Sequence, residues 1–464
     1  MDKKTVFIIF GSTGDLAKRM IFPALFNIIA EKQFSNTEVI GIGRRNFDKK
    51  KFVDFVYSNT KEYSKGTTKK TKDQFFKKLQ YFNLEIDKIQ DYYNLENYLK
   101  SNYGKNTEII VYLSISPQYF IKTLTYFKKS GLHQMITRIA FEKPFGHDLA
   151  SATKLNKGIL KIFQENQIFR IDHYLGKEAI QNITAFRFSN IMFEPIWNNK
   201  YIDNIQITAS EEIGVENRGE YYDENGAIRD MLQNHLFQVL SLICMEMPNS
   251  LDSKDIKESK YNVLKNIGIE QITNKDIVLG QYEGYKQEKG VKKTSKTETF
   301  VALKVFVNNW RFDGVPIYMR TGKKLGKKET KVVIEFKTIP KNLFNQKGEI
   351  TQNRIIIQVA PDESININFN IKEIGKNNIK NVNSKFFLDK QGTSSYERLV
   401  KDLIMGDATL FTPWKIIEQS WKIVDNIINC NNDCPMVYKY SQGSYGPELP
   451  CKKIMKNGKK WFNS

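Results

Sequence analysis

Near its start the 464-residue chain reads "TVFIIFGSTGDLAKR", residues 5–19, and no other stretch restricts its fold as tightly. "TVFIIF" is too short for a signal peptide and runs straight into Gly11-Ser12-Thr13-Gly14, so it reads as a first β-strand. A helical pattern follows from about Leu16 to Lys32, then the strand "EVIGIG", further helical stretches to about Leu79, and the strand "EIIVYLSI" at 108–115. Strands alternating with helices predict a parallel sheet covered on both faces, an α/β domain.

Glycines between a strand and a helix let the backbone turn tightly and approach a pyrophosphate. The amides and dipole of the helix start then meet that charge. Gly11, Ser12, Thr13, Gly14, Asp15, Leu16 and Lys18 are therefore candidate ligands of a dinucleotide, although the spacing is G-x-x-G and not the full G-x-G-x-x-G. The second strand closes on "VIGIGRRNF". An acidic residue at that place suits the ribose hydroxyls of NAD, whereas arginine suits a 2′-phosphate. Arg44, with Arg45 beside it, thus favours NADP.

From about Tyr201 the pattern changes to longer alternating strands, "NIQITASEE", "TFVALKVFV", "KVVIEF", "RIIIQV" and "SININFNI", which suggest an antiparallel sheet. Between the two regimes lies a strongly helical piece, "AIRDMLQNHLFQVLSLICME". The expected division is 1–172 for the dinucleotide domain and 173–464 for a second, α+β domain. "KQEKGVKKTSKTE" and residues 373–395 read as polar loops.

Composition narrows the class. The chain has 41% hydrophobic residues, enough to bury more than one core, and no apolar run near the roughly 18 residues that span a membrane. Its 71 basic against 51 acidic residues give a formal net charge of +20. The lysines are spread along the chain, as in "DKKKF" and "TTKKTKD", and no RNA-binding signature, zinc finger or arginine-rich arm is present, so nucleic acid is not the expected partner. A basic field of this kind draws in small polyanions. Four cysteines are too few for a disulfide framework and fit a reducing cytoplasm. Cys430 and Cys434 have a metal-like spacing but no histidine nearby, and no metal is expected.

The segment "FRIDHYLGKEAIQN", residues 169–182, gathers Asp172, His173, Tyr174 and Lys177 around one glycine in a chain with only 4 histidines. Alone it reads equally well as a helix start with a solvated face. His133 and His147 read as structural.

"GSTGDLAKR", "EKPFGHDLAS", "RIDHYLGKE", "FEPIWN", "IRDMLQNHL", "NWRFDGVPIYMRTGKK", "YERLVKDLIMGDATLF" and "GSYGPE" stand in the order seen in glucose-6-phosphate dehydrogenases, and the chain resembles that family from residue 5 to 448. The resemblance implies a Rossmann-type N-terminal domain and a large antiparallel sheet that forms a homodimer or homotetramer. It implies oxidation of glucose 6-phosphate to its lactone with NADP, the opening step of the oxidative pentose phosphate pathway. By the same resemblance His235 is the general base and Asp172 the carboxylate that orients it. His173, Tyr174 and Lys177, grouped at one helix start, bind the phosphate and sugar. Glu211 and Asp230 bind sugar hydroxyls. Lys323 and Lys328 reach the substrate, with Lys324 and Lys327 as possible substitutes, and Lys143 and Pro144 join the cofactor and substrate sites. Residues 370–395 and "FTPWKIIEQ" depart from the family pattern. Another sugar or polyol dehydrogenase of the same build is the nearest alternative.

Overall fold

The computed structural model describes residues 4–64, 66–269, 272–344, 350–376, 378–387, 394–428, 435–455 and 459–463. Two compact units divide the chain: Met1–Gly176 with Asp252–Lys254 and Thr393–Trp414, and Lys177–Leu251 with Asp255–Gly392 and Lys415–Ser464.

The first unit holds a six-stranded sheet of β1 (Thr5–Phe10), β2 (Thr37–Gly43), β3 (Leu79–Asn83), β4 (Glu108–Leu113), β5 (Ile136–Phe141) and β6 (Ile168–Arg170). The order is β3-β2-β1-β4-β5-β6 and every pairing is parallel. This is the doubly wound order of dinucleotide-binding sheets, in which the chain reverses direction across the sheet between β1 and β4. Because successive residues face opposite sides, Phe7 and Ile9 enter one core and Val6, Ile8 and Phe10 the other.

The first of those cores also takes residues from far along the sequence. Helix Ser395–Met405 contributes Tyr396, Leu399, Val400, Leu403 and Ile404, a stripe at helical spacing. Ser394 caps its start by accepting the Glu397 amide, and Gly406 ends it at φ +79°. Arg138 ties the helix end to the sheet by donating to the Ile404 carbonyl at 3.0 Å.

The second unit is built on β7 (Ile202–Ser210), β8 (Ile277–Tyr282), β9 (Phe300–Val305), β10 (Ile317–Gly322), β11 (Glu329–Phe336), β12 (Arg354–Ala360), β13 (Ser364–Lys372), β14 (Ile379–Phe387) and β15 (Val437–Tyr440). Their order is β14-β13-β12-β11-β7-β10-β9-β8-β15. The sheet is mostly antiparallel as expected, but β10 runs parallel to β7 and β15 parallel to β8. Parallel neighbours need a long crossover, and the helices between Ser210 and Ile317 supply it.

One sequence expectation is corrected. Residues 373–395, read as a polar loop, contain β14, which pairs with β13 over nine consecutive positions from Ser364–Phe387 to Lys372–Ile379. "IKNVNSKFF" mixes Ile, Val and Phe with asparagines and lysines that strands disfavour, so its backbone ladder with β13 decides its state. "KQEKGVKKTSKTE" does carry no strand. Cys430 and Cys434 lie outside the described residues. No helix among the described residues is long and apolar enough to cross a membrane.

In helix Ser395–Met405, burial raises the Asp402 carboxyl to about 6, with Asp407 adding repulsion and Arg398 partly opposing it. The folded protein thus holds this proton more tightly than the unfolded chain, whose value is near 3.9, so stability falls as pH rises from about 4 to about 6. Asp402→Asn is expected to raise Tm at pH 7 and to lose that advantage at pH 4, as followed by thermal melts across the range. A variant with no gain at pH 7 would contradict this assignment.

Candidate active site

In the first unit the loop after β1 is drawn tight by one acceptor. The Gly11 and Ser12 amides both donate to the Ile42 carbonyl, at 3.2 and 3.1 Å, and the buried Ser12 hydroxyl donates to the same oxygen at 3.0 Å. Gly11 has φ +78°, and a Cβ there would lie 2.2 Å from the Ser114 carbonyl oxygen at the end of β4. Only glycine fits. The Gly14 amide closes the turn on the Gly11 carbonyl at 2.9 Å, and the Lys18 amide donates to Gly14 at 3.3 Å. Helical structure begins at Asp15 and passes at once into a short π-helix, Ala17–Ile21.

A cleft of 440 Å³ opens above this turn, lined among others by Gly11, Thr13, Gly14, Arg44, Ser114 and Tyr119. Of the predicted cofactor ligands, then, Gly11, Thr13, Gly14 and Arg44 line the cleft. The Ser12 hydroxyl is spent on the loop itself, Asp15 pairs with Arg19 at 3.0 Å, and Leu16 packs against the core. The arginine pair divides. Tyr81 and Asn83 donate to the Arg45 carbonyl at 2.8 and 2.7 Å, and the Phe47 amide does so at 3.0 Å. With the turn so held, Arg44 borders the cleft while the Arg45 guanidinium lies 5.2 Å from the Phe55 ring centre and 5.9 Å from that of Phe47. A glycine cradle that any Cβ would fill, with a guanidinium at its rim, suits a dinucleotide.

At the end of β5, Glu142 accepts from the Tyr112 hydroxyl at 2.5 Å and from Tyr396 at 3.3 Å, and burial raises its pKa. Lys143 and Pro144 follow directly, joined by a cis peptide. Asp172 is buried just beyond β6, its Oδ1 accepting the Tyr174 amide at 3.0 Å. The His173 ring meets Tyr174 edge-on at 5.2 Å and lies nearly parallel to the Tyr396 ring at 6.3 Å. A Cβ at Gly176 would lie 2.4 Å from the Ser395 carbonyl, which explains the glycine of "DHYLGKE". Neither Glu142 nor Tyr396 was marked by the sequence reading, since their mutual contact arises only when helix Ser395–Met405 joins this unit.

In the second unit Lys177 precedes helix Glu178–Phe188, so it alone of the phosphate candidates sits at a helix start; His173 and Tyr174 lie in the turn before. The Ala179 amide of that start donates to Glu363 at 3.0 Å, so a carboxylate already uses part of the expected anion site. The Lys323 ammonium forms an ion pair with Glu211 and lies 5.4 Å from the Tyr222 ring centre. The Glu211 amide donates to Gly322 at 3.0 Å and Lys323 donates to Thr299 at 2.9 Å, which fixes this corner at the ends of β7 and β10. Tyr222 is buried, and its hydroxyl is pushed well above its ordinary value by desolvation and then by nearby acids, Asp230, Glu298 and Glu211. Glu211, Lys323 and Tyr222 thus lie together, with Asp230 near the tyrosine. Lys328 is exposed and Lys327 lies 3.8 Å from Glu329. His235 is fully buried.

Two family models cover nearly the whole chain: the glucose-6-phosphate dehydrogenase NAD binding domain over residues 8–182 and the C-terminal domain of the same enzyme over 184–462. The chain belongs to the glucose-6-phosphate dehydrogenase family. It is 40% identical to the glucose-6-phosphate 1-dehydrogenase of Borreliella burgdorferi, covering 95% of each chain. It is 37% identical to that of Bacillus subtilis, covering 99% of this chain and 98% of the relative. A glucose-6-phosphate dehydrogenase solved in complex with its substrate glucose-6-phosphate superposes with a TM-score of 0.89 at 31% identity, over 100% of this chain and 99% of that one. The chain is therefore a nucleotide-dependent oxidoreductase.

The rim position of Arg44 gives a cofactor test. A charge-assisted contact contributes about 1.5 to 3 kcal/mol, so Arg44→Ala is expected to weaken NADP binding at least about tenfold and to leave NAD nearly unchanged. Arg45→Ala, whose guanidinium rests on phenylalanine rings, is expected to cost NADP less. Titration of both variants with both cofactors checks this, and equal losses for NADP and NAD would remove Arg44 from the role.

Proposed function

We propose that the chain oxidises D-glucose 6-phosphate at C1 to 6-phospho-D-glucono-1,5-lactone, with NADP as hydride acceptor. The observation that carries this reading is the match over nearly the full length to relatives named glucose-6-phosphate 1-dehydrogenase. Arg44 at the rim of the nucleotide cleft supports NADP over NAD. A homodimer or homotetramer is supported by the β13–β14 hairpin, which exposes Phe369, Ile371, Phe386 and Phe387. A cytoplasmic setting is supported by the sparse cysteines, of which Cys244 and Cys451 are free thiols.

Oxidising the C1 hydroxyl requires a hydride to leave carbon as a proton leaves oxygen. When bound, the nicotinamide supplies the hydride acceptor. His235, as a neutral imidazole, takes the proton. Asp172 is the carboxylate that sets its tautomer and stabilises the cation formed. Glu211 and Asp230 accept from sugar hydroxyls, and Lys323, held by Glu211, keeps that carboxylate in place. Lys177, with His173 and Tyr174, takes the phosphate at the end of the sugar remote from C1. Lys143 and Pro144 border both ligands.

His235→Asn is expected to lower kcat by several orders of magnitude with sugar binding largely kept, because the imidazole acts in the transition state. Asp172→Asn is expected to cost less, since the base survives with its tautomer unset. A His235→Asn enzyme that kept most of its turnover would move the base elsewhere.

Binding energy from a remote phosphate can hold C1 in reach of the hydride acceptor, so its loss lowers turnover as well as affinity. Free glucose is therefore expected to be a very poor substrate. Lys177→Ala is expected to lose more kcat/KM on glucose 6-phosphate than on glucose. Comparable losses on the two sugars would favour a dehydrogenase of unphosphorylated sugars.

A further inference from the structure

The stretch that carries Asp230 and His235 is not an ordinary helix. Ile228–Leu236 is a nine-residue π-helix that continues into an α-helix over Phe237–Cys244. Side chains five apart diverge by about 140° on an α-helix of 3.6 residues per turn. Where the hydrogen bonds close from i to i+5, residues five apart come to lie on one face. Asp230 and His235 are five apart, so the wide register turns the two toward the same side. π-Helical runs are rare and seldom exceed a single turn, so one of this length needs something to hold it.

The anchor stands at its first residues. The preceding helix, Gly219–Ala227, breaks at Gly226, which has φ +65° and ψ −179°. Such a break leaves the next amides without partners inside the helix, and Ala227 has no side chain to cap them. Both go to Glu298, just before β9. The Ala227 amide donates to the Glu298 main-chain oxygen at 3.0 Å, and the Ile228 amide to Glu298 Oε1 at 3.0 Å. A Cβ at Gly226 would lie 2.3 Å from that same carboxylate oxygen, so glycine here serves both the turn and the anchor. At the far end Arg187 Nη1 donates to the carbonyls of Leu242, Ile243 and Met245, at 3.1, 2.9 and 2.9 Å, and Trp197 donates to Ile243 at 2.9 Å. An acid at the start and a guanidinium at the end both match the helix dipole.

We infer that Glu298 is a positioning residue: by accepting the Ala227 and Ile228 amides it sets where the π-helix begins, and with it the register that places Asp230 and His235 on one face. The inference rests on the roles given above to Asp230 and His235. What Glu298 supplies is an acceptor at a fixed reach. Its carboxyl is desolvated, which raises its pKa, while the Ile228 amide and Arg229 pull it down. An uncharged acceptor of the same length serves the same purpose.

Two conservative variants separate reach from charge. Glu298→Gln keeps the length and loses the charge; Glu298→Asp keeps the charge and is one methylene short. Misplacing a reacting group by about 1 Å costs up to a hundredfold in rate. Glu298→Gln is expected to retain kcat/KM for glucose 6-phosphate within about threefold, and Glu298→Asp to lose at least about tenfold, with both kcat and sugar KM affected. The KM for NADP, whose cleft belongs to the first unit, is expected to stay within about twofold in both, a pattern that general destabilisation would not produce. A crystal structure of Glu298→Asp is expected to show residues 228–236 in a changed register. The inference is overturned if Glu298→Asp matches the wild type, if Glu298→Gln is the worse variant, if NADP affinity falls in step with sugar turnover, or if the π-helix persists in the Asp variant. His235→Asn measured alongside tells the two readings apart. Its failure to lower kcat would remove the base assignment, while the register seen in the Glu298→Asp crystal would still decide the anchor.

Discussion

Everything in the nucleotide half depends on how closely two backbones approach at the end of the first strand. With a Cβ at residue 11 only 2.2 Å from the Ser114 carbonyl, the β1 loop passes β4 at a distance that no side chain allows. That approach lies where the strand order reverses, the place at which an open parallel sheet leaves a crevice beyond its strand ends. The Ile42 carbonyl, accepting from two amides and a hydroxyl, fixes the loop from the other side. The cleft is thus a by-product of strand order, with glycine as the local condition for it.

The second unit meets one recurring difficulty, the unsatisfied polar groups at helix ends, and answers it with side chains from distant parts of the sequence. Glu363 takes an amide of helix Glu178–Phe188, Glu298 takes one at the start of the π-helix, and Arg187 takes three carbonyls at the end of the helix that follows. Such contacts fix rotation and register as well as stability, which a packed apolar face does less sharply. The charged groups that surround the candidate site are for this reason largely structural in their first duty. Glu211 and Lys323 hold each other, and Glu142 is held by two tyrosines.

Much of this was legible in the sequence, because local pattern determined it. The six buried residues of β1, the glycine turn and the arginine pair after β2 all act over a few positions, and they lie where the pattern placed them. What escaped was set by partners outside each local stretch. β14 owes its state to β13, so neither its asparagines nor its lysines announced it. The turn residue Ser12 faces inward and Arg45 leans on phenylalanines, distinctions that need coordinates. The π-helical register was illegible for another reason: "IRDMLQNHL" has an ordinary amphipathic pattern, and the residue that opens its helix sits 70 positions away. Tyr222 and Tyr396 were not marked at all, because burial and neighbours from other segments give them their place.

The return of residues 393–414 to the first unit has a consequence for how the chain is made. On a ribosome, all six strands of the first sheet have emerged well before helix Ser395–Met405 exists. Until then Phe7, Ile9 and their neighbours lack the cover of Tyr396, Leu399, Val400 and Leu403. At typical synthesis speeds of about 5 to 20 residues per second, that interval lasts on the order of ten seconds to a minute. For that time the nascent sheet presents an oily face to its surroundings. A holding chaperone, or slow codons placed to bring the later helix in step, would act on this interval more than on any other stage of the protein's life.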